Sequence, residues 1–559
     1  MNRQVRGFFE RIRPASFGAF EGYSTRALVA DMVAGVTVGL VALPLAMAFG
    51  IASGVSPQAG IYTAIAGGLI VALLGGSRWQ IAGPTGAFVV VVAGIVAHYG
   101  LSGLLIATMM AGAMLCFLGV TGLGDAVKYI PRPVVIGFTN GIAVLIASTQ
   151  IKAFFGLSGP SPAEFFARVS TLAAHFGTLD FGTTAIGAFT IATIVIVPRI
   201  GKRVPGAIVA LVLGTALAVL FHLHVATIGS QFGGIPSSLP RLALPAFRID
   251  LIGPLLPSAM TIALLGAIES LLSAVVADSM KGTRHNSNAE LAAQGVANLV
   301  SPLFGGIPVT GAIARTGTAI RSGSHGPLTG AIHSLTLLAI VLVFAPFARF
   351  IPLTTLAAVL IVVAYNIGEW REIPGILRLD KTDRAVWVTT FALTVFADLT
   401  IAVGVGMALA ALLYIYRISQ TTTVTRVTPE DLESGRAHVL QGKDIPSYVT
   451  LLRIHGPFLF GTTDRLGMET ADLTSFASIV VLRLRNMTAI DATGLHAIES
   501  LSTRLKDSGR RLVLCGARDQ PARLLRRSDF VAVVGERNIV ANVDAGLARA
   551  RDLHEERPA

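Results

Sequence analysis

The stretch Leu73-Leu74-Gly75-Gly76 leading into Gly83-Pro84-Thr85-Gly86 has a near copy far along the chain, Leu303-Phe304-Gly305-Gly306 leading into Ala314-Arg315-Thr316-Gly317. Each interrupts an apolar region with Gly and Pro and then launches a new helix. Broken apolar segments at corresponding places of two membrane halves point to a binding site near the midplane. The helix beginnings they create carry unpaired backbone N–H groups and the positive end of a helix dipole, a setting that suits an anion. Glycines also serve close helix packing, but packing glycines seldom come with a proline and a charge, here Pro84 and Arg315. We therefore take Gly83, Pro84, Thr85 and Gly86 in the first break, and Ala314, Arg315 and Thr316 in the second, as substrate-binding candidates.

Composition places these breaks in a membrane. The 559 residues are 53% hydrophobic and only 14% charged, against about 25% charged in soluble domains, and the mean hydropathy is +0.69. The shortage of charge is local. Residues 26–418 are a succession of apolar runs, whereas 440–555 read as ordinary soluble sequence, joined by a linker at 419–439 that includes Pro429, Glu430 and Asp431. Residues 1–25 are basic and aromatic without a cleavable signal pattern, and fit a cytoplasmic, interfacial lead-in. The net charge of +12 is explained by basic membrane-flanking loops rather than by nucleic-acid binding. Two cysteines, Cys116 and Cys515, cannot make a disulfide framework.

Spans of about 20 apolar residues cross a bilayer, and fourteen such runs can be drawn, several of them short or broken by glycine. Basic residues follow the even-numbered runs: Lys128 and Arg132, then Arg199, Lys202 and Arg203, then Lys281 and Arg284, then Arg371, Arg378, Lys381 and Arg384. The positive-inside rule puts those connections, both termini and the soluble domain in the cytoplasm. Breaks in the third and tenth runs imply two inverted repeats of seven, about 26–223 and 254–418, whose breaks approach each other from opposite sides.

Charges inside a membrane are rare and functional by default. Glu269 lies about nine residues before Asp278 at the end of its span, hence roughly 13 Å deep at 1.5 Å per residue. A carboxylate there that gains and loses a proton as access alternates would couple transport to protons; a helix–helix hydrogen bond or an ion pair with Arg315 is the structural alternative. Arg315 opens the second broken helix, where a fixed positive charge opposes the dipole unless an anion or a carboxylate compensates it. Substrate and Glu269 are both open as that partner. Thr85, Thr310, Thr316 and Thr318 are each expected to bond a carbonyl of their own helix. Moving one charge across the membrane costs about 2.3 kcal/mol per 100 mV, so importing a dianion into a negative cell needs an accompanying cation or an exchanged anion. Nothing in the sequence resembles a sodium cage, a metal-ligand cluster, a nucleotide loop or a nucleophile motif, so an enzyme and a bound cofactor are not expected.

At these residues the chain resembles the SulP/SLC26 anion transporter family of bacterial type. The resemblance rests on Asp31-Met32-Val33-Ala34-Gly35-Val36-Thr37-Val38-Gly39-Leu40-Val41-Ala42-Leu43-Pro44, on Ala82-Gly83-Pro84-Thr85-Gly86-Ala87, on Gly137-Phe138-Thr139-Asn140-Gly141 and on Glu269-Ser270-Leu271-Leu272. It implies core and gate domains moving against each other, the anion between the third and tenth helices, a cytoplasmic STAS domain, and usually a homodimer. Three departures from the family stand out. Leu45 and Phe49 stand where many relatives have Gln and Tyr. Ser273 replaces the Asp of sodium-coupled bicarbonate members, which disfavours sodium. Gly404 stands where many bacterial relatives have an acid, leaving Asp398 at the start of that helix.

The C-terminal stretch alternates β-runs (Tyr448 to Ile454, Ser478 to Leu484, Arg511 to Cys515) with helices at Gly494 to Ser508 and Gln520 to Ser528, a small α/β layer. Asn486 to Gly494 matches the STAS loop, with Ala492 where phosphorylated members have Ser, so a phospho-switch is not expected. The expected protein is thus an α-helical membrane protein of fourteen transmembrane segments in two inverted seven-helix repeats, plus a small cytoplasmic α/β STAS domain, in the bacterial inner membrane. Its expected activity is proton-coupled symport of a dicarboxylate or sulfate by an elevator-like movement, with Glu269 as the proton carrier. An exchanger of bicarbonate, chloride or sulfate, or an uncoupled channel, is the alternative; a membrane-anchored STAS regulator recruiting a cytosolic partner would not need the buried charges.

Overall fold

The computed structural model describes residues 12–19, 23–124, 131–162, 164–200, 205–235, 242–243, 248–397, 399–427, 445–527 and 530–556. Most of the expected lead-in and linker, together with Lys128, Lys202, Arg203 and Asp398, lies outside the described residues. The chain divides into two compact units, Met1–Ala408 and Leu409–Ala559, the boundary falling inside the last apolar helix.

The first unit begins with α1 (Thr25–Ala52), α2 (Pro57–Leu74), strand β1 (Ala82–Gly83), α3 (Gly86–Thr121), α4 (Arg132–Phe155), α5 (Phe181–Ile200) and α6 (Gly206–Leu220). It continues with α7 (Ile252–Lys281), α8 (Ser287–Val300), β2 (Thr310–Gly311), α9 (Ile313–Arg321), α10 (Leu328–Ala348), α11 (Leu353–Ile367) and α12 (Lys381–Phe396), and the boundary falls within α13 (Leu399–Thr421). Eight helices among the described residues are long and apolar enough to cross a bilayer. The third and fourth expected spans are both inside α3, 36 residues long, which bends at Gly100 (φ 68°, ψ −173°). A side-chain-bearing residue resists that left-handed backbone, so glycine permits the turn between the two spans.

Two helical bundles arise inside this unit. One packs α1 on α10, α2 on α8 and α10, and α3 on α7 and α8; the other packs α4 on α11 and α12, and α5 on α6 and α11. In lipid, helices associate by close backbone approach rather than by hydrophobic burial. The α3–α8 contact shows this: a Cβ on Gly112 would sit 2.8 Å from the Gly295 carbonyl oxygen. A polar tie adds to the α1–α10 contact. Asp31, fully buried, accepts from Gly326 N–H (3.2 Å) and Thr329 Oγ1 (2.7 Å), and from the Tyr23 hydroxyl. The second bundle has its own buried anchor in Asn140, which donates to the Gly368 carbonyl and accepts from Trp387 Nε1 at 2.9 Å.

The second unit holds a five-stranded sheet of β3 (Thr423–Arg426), β4 (Val449–Phe458), β5 (Ile479–Ile490), β6 (Arg511–Cys515) and β7 (Ile539–Val540), in that spatial order. Only β3 runs antiparallel to its neighbour. Over Val449–Ile454, Ile479–Leu484 and Arg511–Cys515 the strands alternate, so each face buries one set of side chains. Leu452, Ile454, Val480, Leu482, Leu512 and Leu514 pack with α14 (Ala492–Asp507); Val449, Leu451, Ile479, Val481 and Val513 pack under α15 (Val543–Glu555). β3 lies in the stretch read as linker. Its Thr/Val alternation is too short to stand out in sequence, and pairing with β4 buries Val424. Asp491 caps α14 by accepting from Gly494 N–H at 2.8 Å and also accepts from Phe460 N–H at 2.9 Å, so this loop joins two elements.

Candidate functional site

The two broken segments meet. β1 and β2 pair antiparallel, with Ala82 opposite Gly311 and Gly83 opposite Thr310. Inverted repeats require this: two copies of one extended segment, one turned over, run in opposite directions when they cross. Helix α7 pins the crossing. Ser270 Oγ accepts from Gly311 N–H (3.0 Å) and pairs with Thr310 Oγ1 (2.8 Å), while Gln80 Nε2 donates to the Ser270 carbonyl (3.0 Å). The approach is too close for side chains, since a Cβ on Gly83 would lie 2.5 Å from Arg315 Nη1 and one on Gly311 would lie 1.7 Å from Gln80 Nε2.

From this crossing the two helices start. Thr85 is the N-cap residue of α3 and Ala312 that of α9, and neither side chain caps its helix. The first N–H groups of both helices are therefore without an intrahelical or side-chain partner. The Thr85 hydroxyl instead donates to Glu269 Oε2 at 2.7 Å. Arg315 is 3% exposed in the first turn of α9; one guanidinium nitrogen donates to the Pro84 carbonyl, and Nη1 is buried without a partner. Arg315 and Glu269 form no ion pair, so the carboxylate is held by a hydroxyl and the cation by a backbone carbonyl. Both face one cavity of about 300 Å³.

That cavity collects Thr85, Gly86, Ala314, Arg315 and Glu269 from the sequence candidates; Gly83, Pro84 and Thr316 stand behind it as supports. Its opposite wall comes from the second bundle, through Val134, Phe138, Thr139 and Ile142 of α4 and Val363, Asn366 and Ile367 of α11. Leu45 and Phe49, two of the positions that depart from the family, line it from α1. The site thus offers two helix ends, one buried cation, two carboxylates (Glu269 and Glu369) and a largely apolar facing wall.

The threonines divide in a way that sequence did not anticipate. Thr318 bonds the Ala314 carbonyl of its own helix (2.8 Å), as expected. The others reach across. Thr85 meets Glu269, Thr310 meets α7, and Thr316 Oγ1 accepts from Ile81 N–H (3.0 Å) and from Ser273 Oγ (3.1 Å). Local bonding is the default where helices are intact; at a break, unpaired backbone and neighbouring helices compete for the hydroxyl. Ser273, in the position of the sodium-coupled members' Asp, is spent on Thr316.

Sequence reasoning missed Glu290. It is fully buried in the first turn of α8, where Oε2 accepts from Gly76 N–H (2.9 Å) and Ser77 N–H (3.1 Å) and Oε1 from Gln294 Nε2 (3.0 Å). It shapes the turn after α2 that delivers the chain to β1. The available signal was an acid within an apolar run, followed by Gln four residues on, the spacing of one helix face.

Comparison with known proteins agrees with this architecture. Residues 28–390 match the sulfate permease family and residues 443–546 the STAS domain. The chain is 40% identical over 531 residues to the putative sulfate transporter YvdB of Bacillus subtilis, covering 94% of this chain and 98% of that one. It is 32% identical over 521 residues to the bicarbonate transporter BicA of Picosynechococcus, covering 89% and 90%. Among solved structures, the transmembrane domain of a cyanobacterial BicA aligns at a TM-score of 0.61 with 33% identity, over 70% of this chain and 98% of that one. The murine Solute Carrier 26 family member A9 anion transporter, in its inward-facing state, aligns at 0.86 over 99% and 95%, with 17% identity that speaks for the fold alone. The chain belongs to the sulfate permease family: it is a multi-pass membrane anion transporter with a C-terminal STAS domain, and not an enzyme.

Proposed function

We propose that the anion is held between the starts of α3 and α9, and that Glu269 carries a proton with it. The observation that carries this reading is the pair of uncapped helix ends beside Thr85, Glu269 and Arg315 in one cavity. Unpaired N–H groups at two helix starts favour an anion, and Arg315 adds a buried guanidinium whose Nη1 has no hydrogen-bond partner on the protein. A carboxylate at an anion site repels the substrate when ionised and not when protonated. Anion and proton therefore bind with positive linkage, which makes symport the economical mechanism. Sulfate or a dicarboxylate is the substrate class we favour, since a dianion gains most from a co-transported proton.

The cavity lies between the two bundles, so sliding one past the other exposes the site alternately to each side, an elevator-like movement. Basic residues after the even-numbered spans support a cytoplasmic STAS domain, and the family resemblance supports a homodimer in a bacterial inner membrane. A second reading is bicarbonate transport or exchange, favoured by the 32% identity to the bicarbonate transporter BicA. Internal pH in proteoliposomes distinguishes them, with bicarbonate scored against protein-free vesicles. External sulfate or fumarate should acidify the lumen through the wild-type protein and not through Glu269→Gln, which retains an acceptor for Thr85 but no titratable proton. Undiminished acidification in a folded Glu269→Gln protein would refute the coupling role. Anion movement without a protein-dependent pH change would favour exchange or a channel.

A further inference from the structure

Strict alternation in the STAS sheet has one exception to its apolar rule. On the face covered by α15, Val449 and Leu451 are followed two residues on by Arg453; Ile479 and Val481 are followed by Arg483; and Val513 is followed by Cys515. The parallel register sets Arg453 beside Arg483, and Arg483 beside Cys515. Adjacent strands lie about 4.8 Å apart, so two guanidinium groups leave neighbouring positions on one face. Arginine stays charged at all accessible pH, and like charges directly opposite are unfavourable.

Among the described residues no carboxylate pairs with them. Arg483 is 6% exposed, and the groups acting on its charge are Cys515, Arg485 and Arg453, none of them a carboxylate. Burial pushes the Cys515 thiol up to about 11, so it is neutral at physiological pH. The Nε of Arg453 is buried without a hydrogen-bond partner. Among the described residues neither guanidinium makes an ion pair.

The same end of the sheet receives the N-terminus of α15. A Cβ on Gly546 would touch Cys515 Cβ at 3.3 Å and Val481 Cγ1 at 3.4 Å, while His554, at the other end, stacks on Tyr448 at 3.9 Å. The first turn of α15 therefore lies toward the strand ends that carry the arginines. The ladder between β4 and β5 shifts register between Arg453 and His455, a bulge of the kind that re-aims side chains beside sites.

We propose that Arg453 and Arg483, at the start of α15, bind a tetrahedral oxyanion of the phosphoryl type on the STAS domain, separate from the transport cavity. Two guanidinium forks can each engage such a group through paired N–H bonds. The oxyanion resolves the like-charge pair, and the helix start adds favourable partial charge. The source is either a free phosphate or a phospholipid headgroup.

Hydrogen exchange read by mass spectrometry on the full-length protein tests this. The probes are inorganic pyrophosphate, vesicles of phosphatidylcholine with phosphatidic acid, and phosphatidylcholine alone, with chloride at matched ionic strength as control. Wild type should exchange about tenfold more slowly over Ile479–Ile490 and Val543–Leu547 at a probe concentration near ten times its Kd, because protection scales as one plus that ratio. Protection by pyrophosphate assigns a free anion, and protection only by the acidic vesicles assigns a headgroup. Arg483→Gln should lose the protection yet exchange no faster than wild type without probe, since removing one of two like charges relieves repulsion. Arg453→Gln, at a less buried position, should lose it too. No protection of wild type by any probe, or protection retained in Arg453→Gln, would overturn the proposal. So would faster exchange of both variants without probe, which would make the arginines structural.

Discussion

Gly311→Ala is the sharpest perturbation of the crossing that forms the transport site. The new Cβ would fall 1.7 Å from Gln80 Nε2 and 2.6 Å from its Cδ, with Ser270 Cα at 3.1 Å. Gln80 is a side chain and can move; the helix backbone at Ser270 cannot move far. Displacing Gln80 breaks its 3.0 Å bond to the Ser270 carbonyl and leaves a buried amide without a partner. A lost hydrogen bond of about 1 kcal/mol and an unsatisfied buried donor of about 1–3 kcal/mol sum to about 2–4 kcal/mol. In a Gln80→Ala background the same substitution meets only the Ser270 contact and should cost about 1 kcal/mol. The two mutations should therefore couple by about 2 kcal/mol, within the range seen for residues in contact. Thermal unfolding and sulfate uptake of the four proteins of this cycle measure the coupling. Equal losses from Gly311→Ala in both backgrounds would show that Gln80 does not fill the space opposite Gly311, and the account of the crossing would fail.

Three further outcomes are expected. Thr85→Val keeps the side-chain volume but removes the 2.7 Å bond to Glu269, a bond to a carboxyl group worth about 1.5–3 kcal/mol; uptake should fall roughly tenfold to hundredfold together with a lowered unfolding temperature, and normal uptake would dismiss this contact as incidental. Glu290→Ala strands the N–H groups of Gly76 and Ser77, at about 1–3 kcal/mol each, so the purified protein should unfold at markedly lower temperature while Glu290→Gln, which keeps an acceptor, loses less. Asp491→Ala removes the cap of α14 and the acceptor of Phe460 N–H; about 1–2 kcal/mol of STAS stability should be lost, seen as faster hydrogen exchange over Ala492–Asp507.

Much of this protein is written locally. Apolar runs of bilayer length need only composition to be recognised, because lipid leaves the backbone no partner but its own helix. The paired Gly-rich breaks announce a second repeat, and Glu269 and Arg315 stand out because charges in such runs are costly. The β-runs of the STAS domain show through alternation. All of these are properties of one segment and its solvent.

What only the tertiary structure decided are the relations between segments. Sequence left Glu269 and the substrate both open as the partner of Arg315; the fold gives Glu269 to Thr85 and Arg315 to the Pro84 carbonyl, contacts that the antiparallel crossing of the two breaks brings within reach. Thr316, read from sequence as a substrate-binding candidate, also braces Ile81, and Glu290, which sequence did not single out, clamps Gly76 and Ser77. Arg453 and Arg483 are unremarkable in the chain, and only the β4–β5 register sets them side by side. Hydrogen bonds reach about 3 Å, so which donor meets which acceptor depends on how distant helices and strands are placed to within a fraction of that distance. No spacing along one segment carries that information.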